Sequence, residues 1–182
     1  MSLPTDDQQT ITGLKSLGTL EKIDPSKMDD AILIACGDCD RAIEAINWHR
    51  RLIKESHNRV PRVQLICING GPLNLVHPWT DDPQKFEATQ EFLHYQIVGS
   101  RKLKNLDRID LLAHWPCGQA GIWNLSLQRA LDLTLDTIVL LREKFKDMTI
   151  SAYLHVDNGE KNTYHFSPRT WSYISNQLSP VA

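Results

Sequence analysis

Residues 31–36 read AILIAC, an unbroken apolar run into which no polar residue alternates. Such a run is typical of a β-strand that is covered on both faces, as the strands of parallel sheets are. Two similar runs follow, VQLICI at residues 63–68 and IDLLA at residues 109–113. Each run is followed by a segment whose apolar residues have helical spacing. The alternation predicts an α/β fold, with a mostly parallel β-sheet and helices on both faces.

The other segments extend this pattern at both ends of the chain. Residues 1–30 are mostly polar, which predicts an N-terminal arm with one short helix at about residues 11–20. Residues 31–182 are then expected to form a single α/β domain. Helices are predicted at residues 40–55, 84–98 and 126–146. Two further strands are predicted at residues 149–156 and 163–166.

Composition excludes several classes of protein. The chain has 182 residues, 41% of them hydrophobic, and its 20 Lys and Arg against 22 Asp and Glu give a net charge of −2. Nothing in this balance indicates binding to nucleic acid or to a membrane surface. The apolar runs are too short to span a bilayer, and the first seven residues lack the basic and apolar regions of a signal peptide. We therefore expect a cytoplasmic protein.

Two clusters of metal-binding residue types follow predicted strands. Residues 36–39 read CGDC at the end of the first strand, and residues 114–117 read HWPC after the third. Because ligand sites of open α/β sheets lie beyond the carboxyl ends of the strands, we expect the clusters to meet there. Thiolate and imidazole together favour zinc over calcium or magnesium. A CxxC pair alone also suits a thiol redox protein, but that interpretation leaves the HxxC cluster without a role.

The same clusters resemble the signatures of the β-class carbonic anhydrases. Residues 36–38, CGD, resemble the family's strand-end Cys-x-Asp, and residues 114–118, HWPCG, resemble its His-x-x-Cys-Gly. Residues 68–73, INGGPL, look like the family's Arg-Asn-Ala-Gly segment, and residues 152–159, AYLHVDNG, look like its closing Tyr-x-x-x-Thr-Gly hairpin. The resemblance covers residues 31–166, with every element in the family's order.

This resemblance implies a zinc-binding domain that hydrates carbon dioxide. In it, Cys36, His114 and Cys117 would hold Zn²⁺, and Asp38 would accept a hydrogen bond from the zinc-bound water. Zinc lowers the pKa of such a water to about 7, which makes a hydroxide that can attack carbon dioxide. The resemblance also implies a homodimer or a dimer-based assembly, because the family pairs its subunits across a two-fold axis.

The sequence departs from the family pattern directly after Asp38. The family has an Arg two residues further on, which holds the Asp away from the metal, whereas this chain has Asp40 there and Arg41 one residue later. Three outcomes stay open: Arg41 holds Asp38 beside an open site, Asp38 or Cys39 closes the site as a fourth ligand, or an open site takes another substrate. Relatives of the family hydrolyse carbon disulfide or carbonyl sulfide. The function predicted is therefore hydration of carbon dioxide or a close analogue. The competing hypotheses are a non-catalytic zinc protein and a thiol redox protein that uses Cys36 and Cys39.

Overall fold

The computed structural model of the protein describes residues 3–78, 80–157 and 161–171, with side chains at all of them except residues 39–41. In these segments the α-helices are α1 (Thr5–Ser16), α2 (Cys39–His57), α3 (Pro83–Lys104), α4 (Gly118–Ile122) and α5 (Leu127–Lys144). The strands are β1 (Leu20–Lys22), β2 (Ala31–Cys36), β3 (Val63–Ile68), β4 (Arg108–Trp115), β5 (Thr149–Asp157) and β6 (Lys161–Phe166). Short 3₁₀ turns lie at Pro25–Lys27 and Gly71–Leu75.

The described strands form one six-stranded sheet in the order β1-β6-β5-β4-β2-β3. Its centre, β3, β2, β4 and β5, is parallel, and β6 and β1 are added antiparallel at one side. The parallel strands are joined through α2, α3 and α5, as the alternation of strand and helix requires. The predicted fold class is confirmed.

Both faces of the sheet are covered, and β2 shows why its sequence is apolar throughout. Leu33 packs in a cluster with Ile53 of α2, whereas Ile34 belongs to the cluster on the other face, with Ile97 of α3 and Ile138 of α5. All six residues of β2 are buried. Successive strand residues face opposite sides, so a strand between two helical layers needs apolar residues at every position. Every helix in the described segments falls short of what crossing a bilayer requires.

The N-terminal arm differs from the prediction. The helix lies at Thr5–Ser16 instead of residues 11–20, because Gly18 takes a left-handed φ of 71° and ends it. The chain then enters β1, which pairs with β6 as an edge strand of the main sheet. Five apolar side chains among the described residues of the arm are buried in the chain's own core: Leu3, Ile11, Leu14, Leu20 and Met28. A neighbouring chain is therefore not needed to bury the arm.

A polar network is buried between α2 and the sheet. Nε2 of His49 lies 2.6 Å from Oδ2 of Asp110, and neither side chain is exposed. Nε of Arg108 donates to Oδ1 of the same carboxylate at 2.7 Å. The guanidinium also donates to the hydroxyl of Tyr153 at 2.8 Å. The carboxylate of Asp110 is thus paired on both oxygens, as a buried charge must be.

Candidate metal centre

The structure brings Cys36, His114 and Cys117 together at the carboxyl ends of two neighbouring strands. Cys36 ends β2, His114 lies one residue before the end of β4, and Cys117 precedes the first residue of α4. Their potential ligand atoms all lie within 4.8 Å of one another, and all three residues are buried. The meeting follows from topology, since β2 and β4 are adjacent and parallel.

The chemistry of this group fits a zinc ion. Two thiols and an imidazole are a zinc donor set, and three protein ligands leave a fourth position for water. Nε2 of His114 is buried with no hydrogen-bond partner among the described residues, which is costly unless something binds it. Hydrogen bonding from Cys117 lowers the pKa of Cys36 despite its burial, and His114 acts in the same direction. The same hydrogen bond and burial raise the pKa of Cys117. The two thiols are therefore hydrogen-bonded to each other where the ion would bind.

A glycine loop supports Cys36 from the side of β3. The N–H of Gly70 donates to Sγ of Cys36 at 3.2 Å. Gly71 has φ of 56°, and a Cβ on it would lie 2.7 Å from the backbone N of Cys36. Only glycine fits there, both because of the left-handed backbone and because of the close approach. These glycines lie in residues 68–73, the segment that resembles the family's Arg-Asn-Ala-Gly.

Gly71→Ala is expected to lower the free energy of unfolding by about 2–3 kcal/mol, because it adds backbone strain and a clash with Cys36. The matched control is Gly13→Ala in α1, where a Cβ meets no heavy atom within 4 Å. That control should gain about 0.5–1 kcal/mol. Urea unfolding followed by circular dichroism measures both. Equal effects of the two substitutions would contradict the assigned role of Gly71.

A cavity of about 590 Å³ opens beside the group. Cys36 and His114 line it, together with residues of α2 and of β5 and β6. Trp48 supplies an apolar wall. Glu44 and Lys161, which form an ion pair, supply charge. The cavity thus connects Cys36 and His114 with a space that is lined by both apolar and charged side chains and is large enough for a small molecule.

His155 is a lining residue that sequence reasoning missed. It lies in register with His114 on the neighbouring parallel strand, so both side chains point to the same face of the sheet. Nδ1 of His155 lies 2.8 Å from Oγ1 of Thr163, and Nε2 lies 4.0 Å from Glu44. The signal needed to find His155 was the β4–β5 register, which the sequence alone does not carry.

The residues after Cys36 were predicted to act beside the metal. Asp38 is exposed just before α2, and its carboxylate is not part of the group whose ligand atoms lie within 4.8 Å of one another. Its carbonyl accepts from the N–H of Ala42 at 2.8 Å. The side chains of Cys39, Asp40 and Arg41 lie outside the described residues. The roles predicted for Asp38 and Arg41 therefore stay predictions.

Trp115 lies in the sequence between His114 and Cys117, and its side chain packs in the hydrophobic core. Its exposed fraction is 8%, and it belongs to the large apolar cluster on the α3 and α5 side of the sheet. Its Nε1 donates to Oδ2 of Asp7 at 2.8 Å. Trp115 thereby connects α1 with the strand end that carries His114.

Comparison with known proteins gives likenesses to solved structures only. No family model and no curated protein matches the chain. Among solved structures, a point variant of the β-carbonic anhydrase CafD of the fungus Aspergillus fumigatus has 10% identity and a TM-score of 0.48, over 81% of this chain and 99% of that one. A β-carbonic anhydrase of the protozoan Trichomonas vaginalis has 16% identity and a TM-score of 0.35, over 90% and 99%. A carbonic anhydrase of Streptococcus mutans has 14% identity and a TM-score of 0.34, over 90% and 99%.

Proposed function

We propose that this chain is a zinc-dependent, carbonic-anhydrase-like protein that hydrates carbon dioxide or a close analogue. The observation that carries the proposal is the meeting of Cys36, His114 and Cys117 beside a cavity that Cys36 and His114 line. Zinc with three protein ligands supplies a Lewis acid and a water with a pKa of about 7. The His-x-x-Cys-Gly signature supports the same function. The proposal includes a homodimer and a cytoplasmic location.

The residues that line the cavity suggest how it binds a small substrate and its anionic product. Trp48 and Leu112 line the cavity and offer apolar surface to an uncharged molecule. Arg51 and Lys161 line the same cavity, where Lys161 is paired with Glu44, and we propose that Arg51 is the cation that an anion such as bicarbonate meets. Asp38 is proposed to orient the attacking water by accepting a hydrogen bond.

A second candidate function is a zinc protein without catalysis, and Asp40 is the residue that favours it. In the family, an Arg two residues after the strand-end Asp holds that Asp away from the metal. At the matching position this chain has Asp40, a second carboxylate. Like charges repel, so Asp40 opposes both an ordered Asp38 and a bound anion. If Asp38 or Cys39 becomes a fourth ligand, the tetrahedral site closes and binds no water.

We expect the zinc-loaded protein to hydrate carbon dioxide weakly under the proposed function, and not at all under the second candidate, because Arg41 lies about 100° around the helix from position 40. Asp40→Arg is expected to raise the rate, since it restores a cation where the family has one. Stopped-flow hydration assays with a pH indicator measure both proteins, with Arg41→Ala as the matched variant. Robust hydration by the wild type that persists in Arg41→Ala would contradict the argument from the missing cation.

A further inference from the structure

Cys36 and Cys117 form a pair of thiols at the candidate metal centre. Their sulfur atoms lie within 4.8 Å of each other, and the two thiols are hydrogen-bonded. The N–H of Gly70 donates to Sγ of Cys36 at 3.2 Å, which holds that sulfur in place. Since the sulfurs of a disulfide are about 2.05 Å apart, a relative movement of less than about 3 Å separates the pair from a covalent bond.

The two thiols differ in their access to small molecules. Cys36 lines the cavity of about 590 Å³, whereas Cys117 does not. Both line a void of about 10 Å³ on the side of the hydrophobic core, where Leu131 and Leu154 are also lining residues. A void of that size holds at most about one water molecule. A reagent that enters through the large cavity therefore meets Cys36 first, and Cys117 lies behind it.

Cys67 is not a suitable partner for Cys36, although it lies on the neighbouring strand. In the β2–β3 register Cys67 is level with Ala35, whereas Cys36 is level with Ile68. Successive side chains of a strand point to opposite faces of the sheet, so Cys67 and Cys36 point to opposite faces. The thiol of Cys67 donates instead to the carbonyl oxygen of Cys36 at 3.1 Å. Among the cysteines whose side chains the structure describes, Cys117 is thus the partner for Cys36.

We propose that Cys36 and Cys117 form a reversible disulfide when no metal holds them, so that peroxide and zinc compete for the same two sulfurs. The inference rests on the metal centre of the proposed function and adds a modification that regulates it. Zinc binds cysteine as the thiolate, and a disulfide offers none. Disulfides of cytoplasmic proteins are usually transient and often sense redox conditions, which agrees with the location included in the proposed function.

Hydrogen peroxide is the oxidant in this reaction. The sulfur of Cys36 attacks one peroxide oxygen, the O–O bond breaks, and a sulfenic acid forms at Cys36 while one water leaves. The sulfur of Cys117 then attacks the sulfenic sulfur, the S–O bond breaks, and the hydroxyl leaves with the thiol proton as a second water. The two thiols together lose two electrons and two protons, which reduce one peroxide to two waters. Dithiothreitol reverses the reaction by thiol–disulfide exchange.

Peptide mapping of the full chain identifies the bond. Protein stripped of zinc with a chelator is treated with hydrogen peroxide, alkylated and digested with trypsin. Cleavage after Lys and Arg leaves Cys36 and Cys39 together in residues 28–41, and Cys117 in residues 109–129. We expect these two peptides to be joined, at a mass two hydrogens below their sum, and to separate after dithiothreitol. A bond within residues 28–41, a bond to the peptide that contains Cys67, or no bond would each overturn the proposal.

Single substitutions test the partners and the order of attack. Cys39→Ser and Cys67→Ser should both keep the joined peptides, because neither removes a sulfur of the pair. Cys117→Ser should stop the reaction at Cys36 and leave a sulfenic acid that dimedone labels. Cys36→Ser should leave Cys117 unlabelled, because Cys117 does not line the large cavity. Loss of the joined peptides in Cys39→Ser, or labelling of Cys117 in Cys36→Ser, would contradict this assignment.

Zinc should protect the pair from oxidation. Zinc at about 100 times its dissociation constant is expected to slow formation of the disulfide more than about tenfold, since only the metal-free fraction reacts. The oxidised protein should bind no zinc at this centre until dithiothreitol reduces it. Equal rates of oxidation with and without zinc would refute the competition.

Zinc content measured before oxidation separates this inference from the proposed function. A protein that joins the two peptides but binds no zinc keeps the disulfide and removes both the metal centre and the competition. A protein that binds one zinc per chain but joins no peptides after zinc removal keeps the metal centre and removes the disulfide.

Discussion

His114→Ala and Cys117→Ser are each expected to remove zinc from the protein, which as wild type should carry one zinc per chain. Each substitution leaves two of the three donor atoms that lie within 4.8 Å of one another. Losing a side chain that only hydrogen-bonds to a metal ligand already costs about 10–100-fold in metal affinity, so loss of a ligand itself should cost more than about 100-fold. Elemental analysis of protein purified without added metal, with chelator competition for the dissociation constant, measures the effect.

Cys67→Ser is the matched control for this experiment. Cys67 is exposed, and its thiol donates to the carbonyl of Cys36 at 3.1 Å, a hydrogen bond that a serine hydroxyl can replace. The control should keep its zinc, because Cys67 is not part of the group around His114. Full zinc retention in both His114→Ala and Cys117→Ser would refute the metal assignment. Loss of zinc from Cys67→Ser as well would indicate that the effect is not specific to the three proposed ligands.

Asp110→Ala is expected to lower the free energy of unfolding by about 3–5 kcal/mol, the usual cost of removing one partner from a buried ion pair. The reason is that Arg108 and His49 would both lose the carboxylate that now pairs with them. The side chain of Arg108 is only 11% exposed, so water cannot readily replace the lost partner. Urea unfolding measures the change.

Two further variants keep this prediction testable if Asp110→Ala does not fold. Tyr153→Phe removes only the hydroxyl at the end of the network and should cost about 1 kcal/mol. Asp136→Ala changes an exposed carboxylate on α5 and should stay within about 0.5 kcal/mol of the wild type. If Asp110→Ala and Asp136→Ala unfold at the same urea concentration, the buried network does not stabilise the fold.

An element of this fold can be predicted from the sequence when its signal lies within the element itself. The six-residue run that ends at Cys36 is apolar at every position, and this pattern alone predicts a strand covered on both faces. The helical spacing from residue 127 to 144 is equally local. The prediction of an N-terminal helix at about residues 11–20 is wrong in its bounds, because Gly18 ends the helix before residue 20. Strand β1 was not predicted either, since its three residues become a strand only by pairing with β6.

The sequence by itself determined the order and type of the central elements and the two strand ends that carry Cys36 and His114. Each of these follows from neighbouring residues, through side-chain period, caps and turn residues. Only the tertiary structure decided the strand order and the register that sets His155 beside His114. It also decided the pairing of His49 with Asp110, which are 61 residues apart. These contacts depend on which strands and helices become neighbours. Packing of the whole core decides that, and it leaves no periodic signal in the sequence of any one segment.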